Sequence, residues 1–197
     1  FDELVDFILT KTDFLIDGKS VLDYGSGALQ FSKIVSRRGA AHADNYDLGS
    51  ELTAMKEYDL VVSTHCFEHI YNFNTAFSEI VQLMSSEGLF CLAVPDVRGY
   101  SDLYYGPYNC FDLEHINHFE LNSLEYVLRN VGLDIIAFRE SERRVTTTLS
   151  YPEVLVLCRK SDAKPLTSML SSTRNSVSAV LEDYLQRSEQ DLINSVD

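Results

Sequence analysis

The chain has 197 residues, of which 45% are hydrophobic and 23% are charged, a composition that suits a folded domain with a sizeable core. Its 16 basic and 30 acidic residues give a formal net charge of −14 at pH 7. This charge repels polyanions over most of the surface, so the sequence argues against DNA or RNA as a substrate. The residues contain no apolar run of membrane-spanning length and no basic-then-apolar leader, so we expect neither membrane insertion nor export.

The cysteines are scattered along the chain and form no Cys-x-x-Cys pair; they are Cys66, Cys91, Cys110 and Cys158. Three of them lie among apolar residues, which predicts buried free thiols rather than disulfides. We therefore expect a reducing, cytoplasmic location for the protein.

Hydrophobic periodicity and glycine or proline punctuation predict alternating helices and strands. In chain order these are a helix over residues 1–11, a strand over 19–24, a helix over 29–38, a weak strand over 40–47, a strand over 58–63, a helix over 74–84, a strand over 88–94, a helix over 121–131, and strands over 133–140 and 153–158. The alternation predicts an α/β fold with a doubly wound, mostly parallel sheet. The last two strands have no helix between them, so we expect an antiparallel C-terminal hairpin.

Past Ala163 the chain becomes polar and serine-rich, yet apolar residues recur at helical spacing. We predict one or two amphipathic helices there. The expected organisation is one domain over residues 1–160 and a helical tail over 161–197. The tail docks on that domain, mediates homo-oligomer formation, or leads to a further domain.

A glycine turn follows the first predicted strand, where the sequence reads Val21-Leu22-Asp23-Tyr24-Gly25-Ser26-Gly27. In open α/β sheets, ligands bind at the carboxyl ends of strands, near the point where the strand order reverses. Glycines there let backbone N–H groups approach a ligand, and Asp23 can accept a hydrogen bond from a cationic or N–H group. A plain strand-to-helix turn is the alternative, but the strand before the turn and the helix after it favour ligand binding.

The Asp-x-Gly-x-Gly pattern of residues 23–27 resembles the S-adenosylmethionine (SAM) binding motif of class I methyltransferases. Dinucleotide-binding domains have a third glycine where this chain has Gln30. Residues 58–70 resemble the fourth-strand segment of the small-molecule branch of the family (methyltransferase types 11 and 23). Residues 114–119, Glu-His-Ile-Asn-His-Phe, resemble the passage after the fifth strand of that branch.

This resemblance covers residues 15–160 and implies a Rossmann-like sheet of mainly parallel strands. The chain between Asp47 and Tyr58 is too short for the family's third strand and the helix that follows it. We therefore expect the third strand to be short or missing.

The resemblance also implies that SAM lies across the strand ends. Its methionine part would contact residues of the glycine turn and of the segment after the third predicted strand, namely Asp23, Gly25, Ser26, Gly27, Ser63, Thr64 and His65. An acidic residue at the end of the second strand binds the ribose in this family, because a carboxylate can accept two hydrogen bonds from a vicinal diol. We prefer Asp47 for this role over its rival Asp44, and either can instead be a solvated loop acid.

Methyl transfer from SAM is an in-line displacement at a sulfonium, which is already a good leaving group. The protein mainly aligns the acceptor and, for a hydroxyl or a carbon acid, removes its proton. His69, His115 and His118 are the candidate bases, since imidazole titrates near neutral pH. Glu68 is a further acid/base candidate, although for it and the histidines a structural role is the alternative. The His115/His118 spacing suits a metal, but matching further ligands are not evident, so no metal site is predicted.

The expected acceptor is a small molecule such as a sugar, a lipid or a natural-product intermediate. Tyrosines and a phenylalanine between residues 100 and 111 either line its pocket or cover the core as a lid. Two other functions stay open. A degenerate methyltransferase fold that acts as a binding or scaffold domain is favoured by the short third-strand region and by Leu29, where the family pattern often has glycine. A nicotinamide-dependent oxidoreductase is disfavoured, because Gly-x-Gly-x-x-Gly is absent.

Overall fold

A computed structural model of the chain describes residues 1–25, 27, 30–47, 57–111, 113–144, 146–147, 149–166 and 171–196. Its helices and strands, in chain order, are α1 (Asp2–Lys11), β1 (Ser20–Tyr24), α2 (Gln30–Arg37), β2 (His42–Tyr46), β3 (Tyr58–Thr64), α3 (Phe73–Leu83), β4 (Met84–Pro95), α4 (Leu121–Asn130), β5 (Leu133–Arg144), β6 (Ser150–Lys160) and α5 (Ser171–Val196). Short 3₁₀ turns cover Phe67–His69 and Val97–Gly99. The predicted alternation of helices and strands is confirmed.

The described strands form one sheet in the order β2-β1-β3-β4-β6-β5. The first four strands pair in parallel, and β6 runs antiparallel between β4 and β5. After β1 the chain builds β2 on one side and then β3 on the other, so the strand order reverses at β1. The doubly wound sheet with its antiparallel hairpin is thus confirmed. No described residue forms a strand between β2 and β3; residues 48–56 lie outside the described ranges.

Two apolar layers sandwich the sheet, as expected for strands buried on both faces. On one face, Leu22 and Phe90 pack against α3 and α4. On the other, Val21 and Val62 pack against α1 and α2. Because β1 to β4 are parallel, their carboxyl ends lie at the same edge of the sheet, and the segments after β1, β2 and β3 meet there.

Two strands are longer than their hydrophobic runs predict. β4 starts at Met84, directly after α3, because Met84 pairs with Tyr58 and its carbonyl accepts a hydrogen bond from the Lys160 ammonium at 2.7 Å. β5 continues to Arg144 with alternating half-buried and exposed polar side chains. Main-chain pairing with β6 extends this strand beyond its apolar part.

The described part of the tail contains one helix, α5, that docks on the connection between β4 and α4. Tyr184 is fully buried; its hydroxyl accepts a hydrogen bond from the Cys110 N–H at 2.8 Å and donates one to Asn109 Oδ1 at 3.1 Å. Tyr100 and Tyr104 pack against Tyr184 in a small core beneath this helix. All four cysteines are buried and none forms a disulfide, as predicted. None of the described helices combines the length and apolarity needed for a membrane span.

Candidate functional site

The glycine turn joins the ends of three strands. Gly25 directly follows β1 with a φ of +80°, and its N–H donates to the Tyr46 carbonyl at the end of β2 at 2.7 Å. A Cβ at Gly25 would lie 2.3 Å from Cys66 Sγ, so the turn packs directly on the segment after β3. Gly27 also has a positive φ, +45°, and no heavy atom of the described residues lies within 4 Å of an added Cβ. Ser26 lies outside the described residues.

Asp23 places a buried carboxyl immediately before this turn, with only 3% of the residue exposed. Burial raises the pKa of Asp23 to about 6, and a hydrogen bond from the Ser32 N–H offsets only part of that effect. Near neutral pH the site therefore holds a poorly hydrated carboxylate. A cationic or N–H ligand group beside it would stabilise its charge.

The structure separates the two acidic candidates near β2. Asp44 lies within the strand, and its carboxylate accepts a hydrogen bond from the Tyr58 hydroxyl at 2.9 Å. Asp47 follows the strand and is exposed, at the carboxyl edge where the glycine turn lies. The geometry therefore favours Asp47 over Asp44 as a ligand-binding acid.

The residues after β3 include a histidine held between two carboxylates. His65 has a φ of +49°, and its N–H donates to the Ala93 carbonyl at 2.9 Å. Its Nε2 lies 2.9 Å from Glu153 Oε2 and its Nδ1 lies 3.3 Å from Glu68 Oε1. Burial lowers the pKa of His65, but the hydrogen bonds to Glu153 and Glu68 outweigh burial and raise it. These contacts favour the imidazolium form.

Ser63 and Thr64 lie just before this histidine, at the end of β3. Ser63 is fully buried. Thr64 is half-buried and lines a cavity of about 360 Å³ together with Arg139 and Arg143, on the side where the first residues of α1 lie.

A second cavity, of about 250 Å³, opens at the carboxyl ends of β3 and β4. We call it the histidine pocket; its lining residues are His65, Glu68, His69, Pro95, His115, Arg143 and Tyr151. The imidazole rings of His69 and His115 meet edge to face, with 4.9 Å between their centroids. The structure thus brings together two of the three histidines that the sequence nominates as bases.

The third candidate base, His118, is not among the residues that line the histidine pocket. Its Nδ1 is 2.9 Å from the hydroxyl of Tyr100, and its ring packs beside Phe111 at a centroid distance of 4.5 Å. Tyr100 is buried, which raises the pKa of its hydroxyl and keeps it protonated. His118 is thereby part of the aromatic packing near α5.

The β5–β6 hairpin supplies three residues to which sequence reasoning assigned no role: Arg143 and Tyr151 line the histidine pocket, and Glu153 contacts its residue His65. Glu153 holds His65 from 88 positions further along the chain. One sequence feature could have indicated this contact: Glu153 is an acidic residue directly before the apolar run Val154–Cys158. A charged side chain beside a buried strand needs a partner.

The sequence profile of the methyltransferase domain family matches residues 1–137 of this chain. A search of curated protein sequences finds no significant match.

Solved structures match the fold over most of the chain. One is a SAM-dependent methyltransferase from Mesorhizobium loti, with a TM-score of 0.60 and 13% identity, covering 79% of this chain and 96% of that one. Another is magnesium protoporphyrin IX methyltransferase from Synechocystis with bound S-adenosylhomocysteine (TM-score 0.58, 15% identity, 81% of each chain). A third is 1,6-didemethyltoxoflavin-N1-methyltransferase from Burkholderia thailandensis (TM-score 0.54, 18% identity, 74% of this chain and 72% of that one).

The family profile covers more than half of the chain, including the glycine turn and all three histidines of the pocket. The sheet order and the turn at its switch point agree with that match, as does the fold of the solved structures. The chain therefore belongs to the methyltransferase domain family, as a class I, S-adenosylmethionine-dependent methyltransferase.

Proposed function

We propose that this enzyme methylates a small molecule that binds in the histidine pocket. The observation that carries the proposal is the position of this pocket: it opens at the carboxyl ends of β3 and β4, and the glycine turn packs against Cys66, next to the pocket residue His65. A ligand on the glycine turn and an acceptor in the pocket would share one edge of the sheet. The pocket volume, about 250 Å³, suits a small molecule rather than a polymer.

For the cofactor, the residues fit SAM at two points. The buried carboxylate of Asp23 suits the α-ammonium of the methionine part, because a cation relieves the cost of its charge. Asp47 suits the ribose hydroxyls from its place after β2. We assign Gly25, Ser26 and Gly27 to backbone contact with the methionine part. Ser63, Thr64 and His65 complete that side of the site.

For the acceptor, we propose His115 or His69 as the base and give His118 a positioning role through Tyr100. The comparison enzymes named for toxoflavin and porphyrin substrates act on small molecules, which supports the same substrate class here. A sugar, a lipid or a natural-product intermediate remains the proposed acceptor. The net charge of −14 supports the exclusion of nucleic acid.

The test is transfer of labelled methyl groups from SAM to a panel of such acceptors. We expect His115→Ala or His69→Ala to lower turnover by about 10²- to 10⁴-fold, the usual range for general base catalysis, without weakening SAM binding. His42→Ala, an exposed histidine at the start of β2, is the matched control. If alanine at His69, His115 and His118 in turn leaves turnover unchanged, the base assignment is wrong. A folded chain that does not bind SAM would favour the scaffold alternative.

The remaining features of the chain are also proposals. We assign residues 1–160 to the catalytic domain and 161–197 to the tail, and buried cysteines that form no disulfide support a cytoplasmic location. On α5, Leu185, Leu192 and Ile193 are exposed, so a homodimer through this helix is the proposed assembly. Light scattering of wild type and Ile193→Glu measures whether the helix mediates it.

A further inference from the structure

We propose that Glu68, His69 and His115 bind a divalent transition-metal ion in the histidine pocket, with Zn²⁺ the best match. One ligand atom from each of these side chains lies within 4.8 Å of the other two. The sequence did not predict this site, because the His115/His118 spacing suggested that pair as ligands and no matching further ligands were evident beside it. Folding places His118 beside Tyr100 and brings Glu68 and His69 to His115 instead.

The ligands are held by contacts that do not depend on an ion. His69 Nδ1 lies 3.0 Å from the carbonyl oxygen of Glu114. A carbonyl only accepts, so Nδ1 carries the proton and Nε2 presents its lone pair, 3.9 Å from Glu68 Oε1. Metal-binding histidines commonly donate their second ring N–H to a backbone carbonyl in this way.

Backbone contacts also fix His115 relative to the other two ligands. The N–H groups of Ile116 and Asn117 both donate to the Glu68 carbonyl, at 2.9 and 3.0 Å. The Asn117 amide donates further hydrogen bonds to the carbonyls of Phe67 and Ile70, at 3.0 and 2.7 Å. The loop that carries His115 is thus fastened to both ends of the 3₁₀ turn that carries Glu68 and His69.

Glu68 itself points to a ligand. Only 1% of this residue is exposed, and its Oε2 is buried with no hydrogen-bond partner among the described residues. A buried carboxylate oxygen without a partner is costly, and a bound cation would remove that cost. The Oε1 atom faces His65 Nδ1 at 3.3 Å, the kind of outer contact that orients a metal-binding carboxylate.

The donor set selects the ion. Two imidazoles and one carboxylate suit Zn²⁺, which then keeps a fourth position open for water or substrate. Ligand atoms of a tetrahedral Zn²⁺ lie about 3.3 Å apart, so the present group needs to close by about 1.5 Å or less through side-chain rotation. Arg143 in the same pocket opposes a cation, whereas Glu153 beside His65 and the chain's net charge of −14 favour one.

The consequence for catalysis rests on the proposed function. The fourth coordination position of the ion lies in the pocket proposed for the acceptor. The expected acceptor is therefore a molecule with a hydroxyl group whose oxygen can coordinate the ion. Coordination lowers the pKa of such a hydroxyl. The proton passes to solvent, and the oxygen then takes the methyl group from the sulfonium while the sulfur keeps the bonding electrons. In this scheme His69 and His115 hold the ion, and that role replaces the base role given to them under the proposed function; the small-molecule acceptor and its place in the pocket stay as proposed.

The test is calorimetric titration of chelator-treated chain with Zn²⁺, and with Co²⁺ observed by its visible absorption. We expect one ion per chain at micromolar concentration and a Co²⁺ spectrum typical of four-coordinate geometry. His115→Ala and Glu68→Gln should each weaken binding by about 100-fold or more, since each removes a direct ligand. His42→Ala should bind like wild type, and circular dichroism checks that every variant is folded.

A folded wild-type chain that binds no Zn²⁺, or a His115→Ala variant that binds it normally, overturns the metal site. A parallel titration with SAM separates this failure from failure of the proposed function. Binding of SAM without Zn²⁺ rejects only the metal site. Methylation that proceeds at an unchanged rate after chelation overturns the role of the ion toward the acceptor.

Discussion

Gly25→Ala is expected to destabilise the chain by about 2–5 kcal/mol and to weaken SAM binding by about 100-fold or more. The new Cβ would lie 2.3 Å from Cys66 Sγ and 2.6 Å from Cys66 Cβ, and Cys66 is buried. The φ of +80° adds backbone strain, which alanine tolerates poorly. To relieve the clash, the turn or the segment after β3 has to move, and both belong to the proposed cofactor site.

Gly27→Ala is the matched control for stability. Its φ of +45° is also unfavourable for alanine, but among the described parts of the chain no heavy atom lies within 4 Å of the added Cβ. Only backbone strain of about 1–2 kcal/mol is expected. Urea unfolding of both variants, with SAM titration of the folded fraction, measures the difference. Equal stability of the two variants would show that the glycine turn does not pack on Cys66 as described.

Asp23→Asn is expected to make the ligand-free chain more stable at pH 8 while weakening SAM binding. A carboxyl pKa moved from 3.8 to about 6 corresponds to about 3 kcal/mol of destabilisation once the group is ionised. The folded chain binds the proton more tightly than the unfolded chain. The contribution of Asp23 to the stability of wild type is therefore complete below about pH 4 and is lost as the pH rises to about 6.

The asparagine variant lacks this pH dependence, so its advantage should be absent near pH 4 and complete above about pH 6. Its SAM affinity should fall by about 10- to 100-fold, because a hydrogen bond to a charged group contributes about 1.5–3 kcal/mol. Wild-type affinity should fall as the pH is lowered through the pKa of Asp23. Thermal unfolding and calorimetry across this range measure both effects, with the exposed Asp13→Asn as control. A less stable asparagine variant at pH 8 would mean that burial does not destabilise the Asp23 carboxylate.

The sheet was predictable because its central strands carry unbroken apolar runs. The segments of β3 and β4 are buried over almost their whole length, and their composition reports that burial directly. The polar ends of β5 and β6 were not predictable in this way. Their pairing there depends on main-chain hydrogen bonds and on half-buried polar side chains, which leave no apolar pattern.

The candidate site was predictable only where its residues are close in sequence. Gly25 and Gly27 stand beside the strand that positions them, so the motif located the turn. The contact of His65 with Glu153 spans 88 positions, and only the placement of β6 beside β4 creates it. In the same way, His118 is held apart from His115 because its Nδ1 contacts the Tyr100 hydroxyl. The short spacing of the two histidines in the sequence does not reveal this contact.

The choice between Asp44 and Asp47 shows the same limit. Both carboxylates lie near the end of β2 in the sequence, and composition does not distinguish them. The structure gives them different surroundings, because the hydroxyl of Tyr58 donates a hydrogen bond to Asp44, whereas Asp47 is exposed just after β2.

The most direct test of the account is calorimetric binding of SAM and S-adenosylhomocysteine to wild type, Asp47→Ala and Asp44→Ala. We predict micromolar binding to wild type, near-complete loss in Asp47→Ala and retention in Asp44→Ala. A folded wild-type chain that binds neither compound would contradict the account, because the glycine turn, Asp23 and Asp47 would then form no cofactor site.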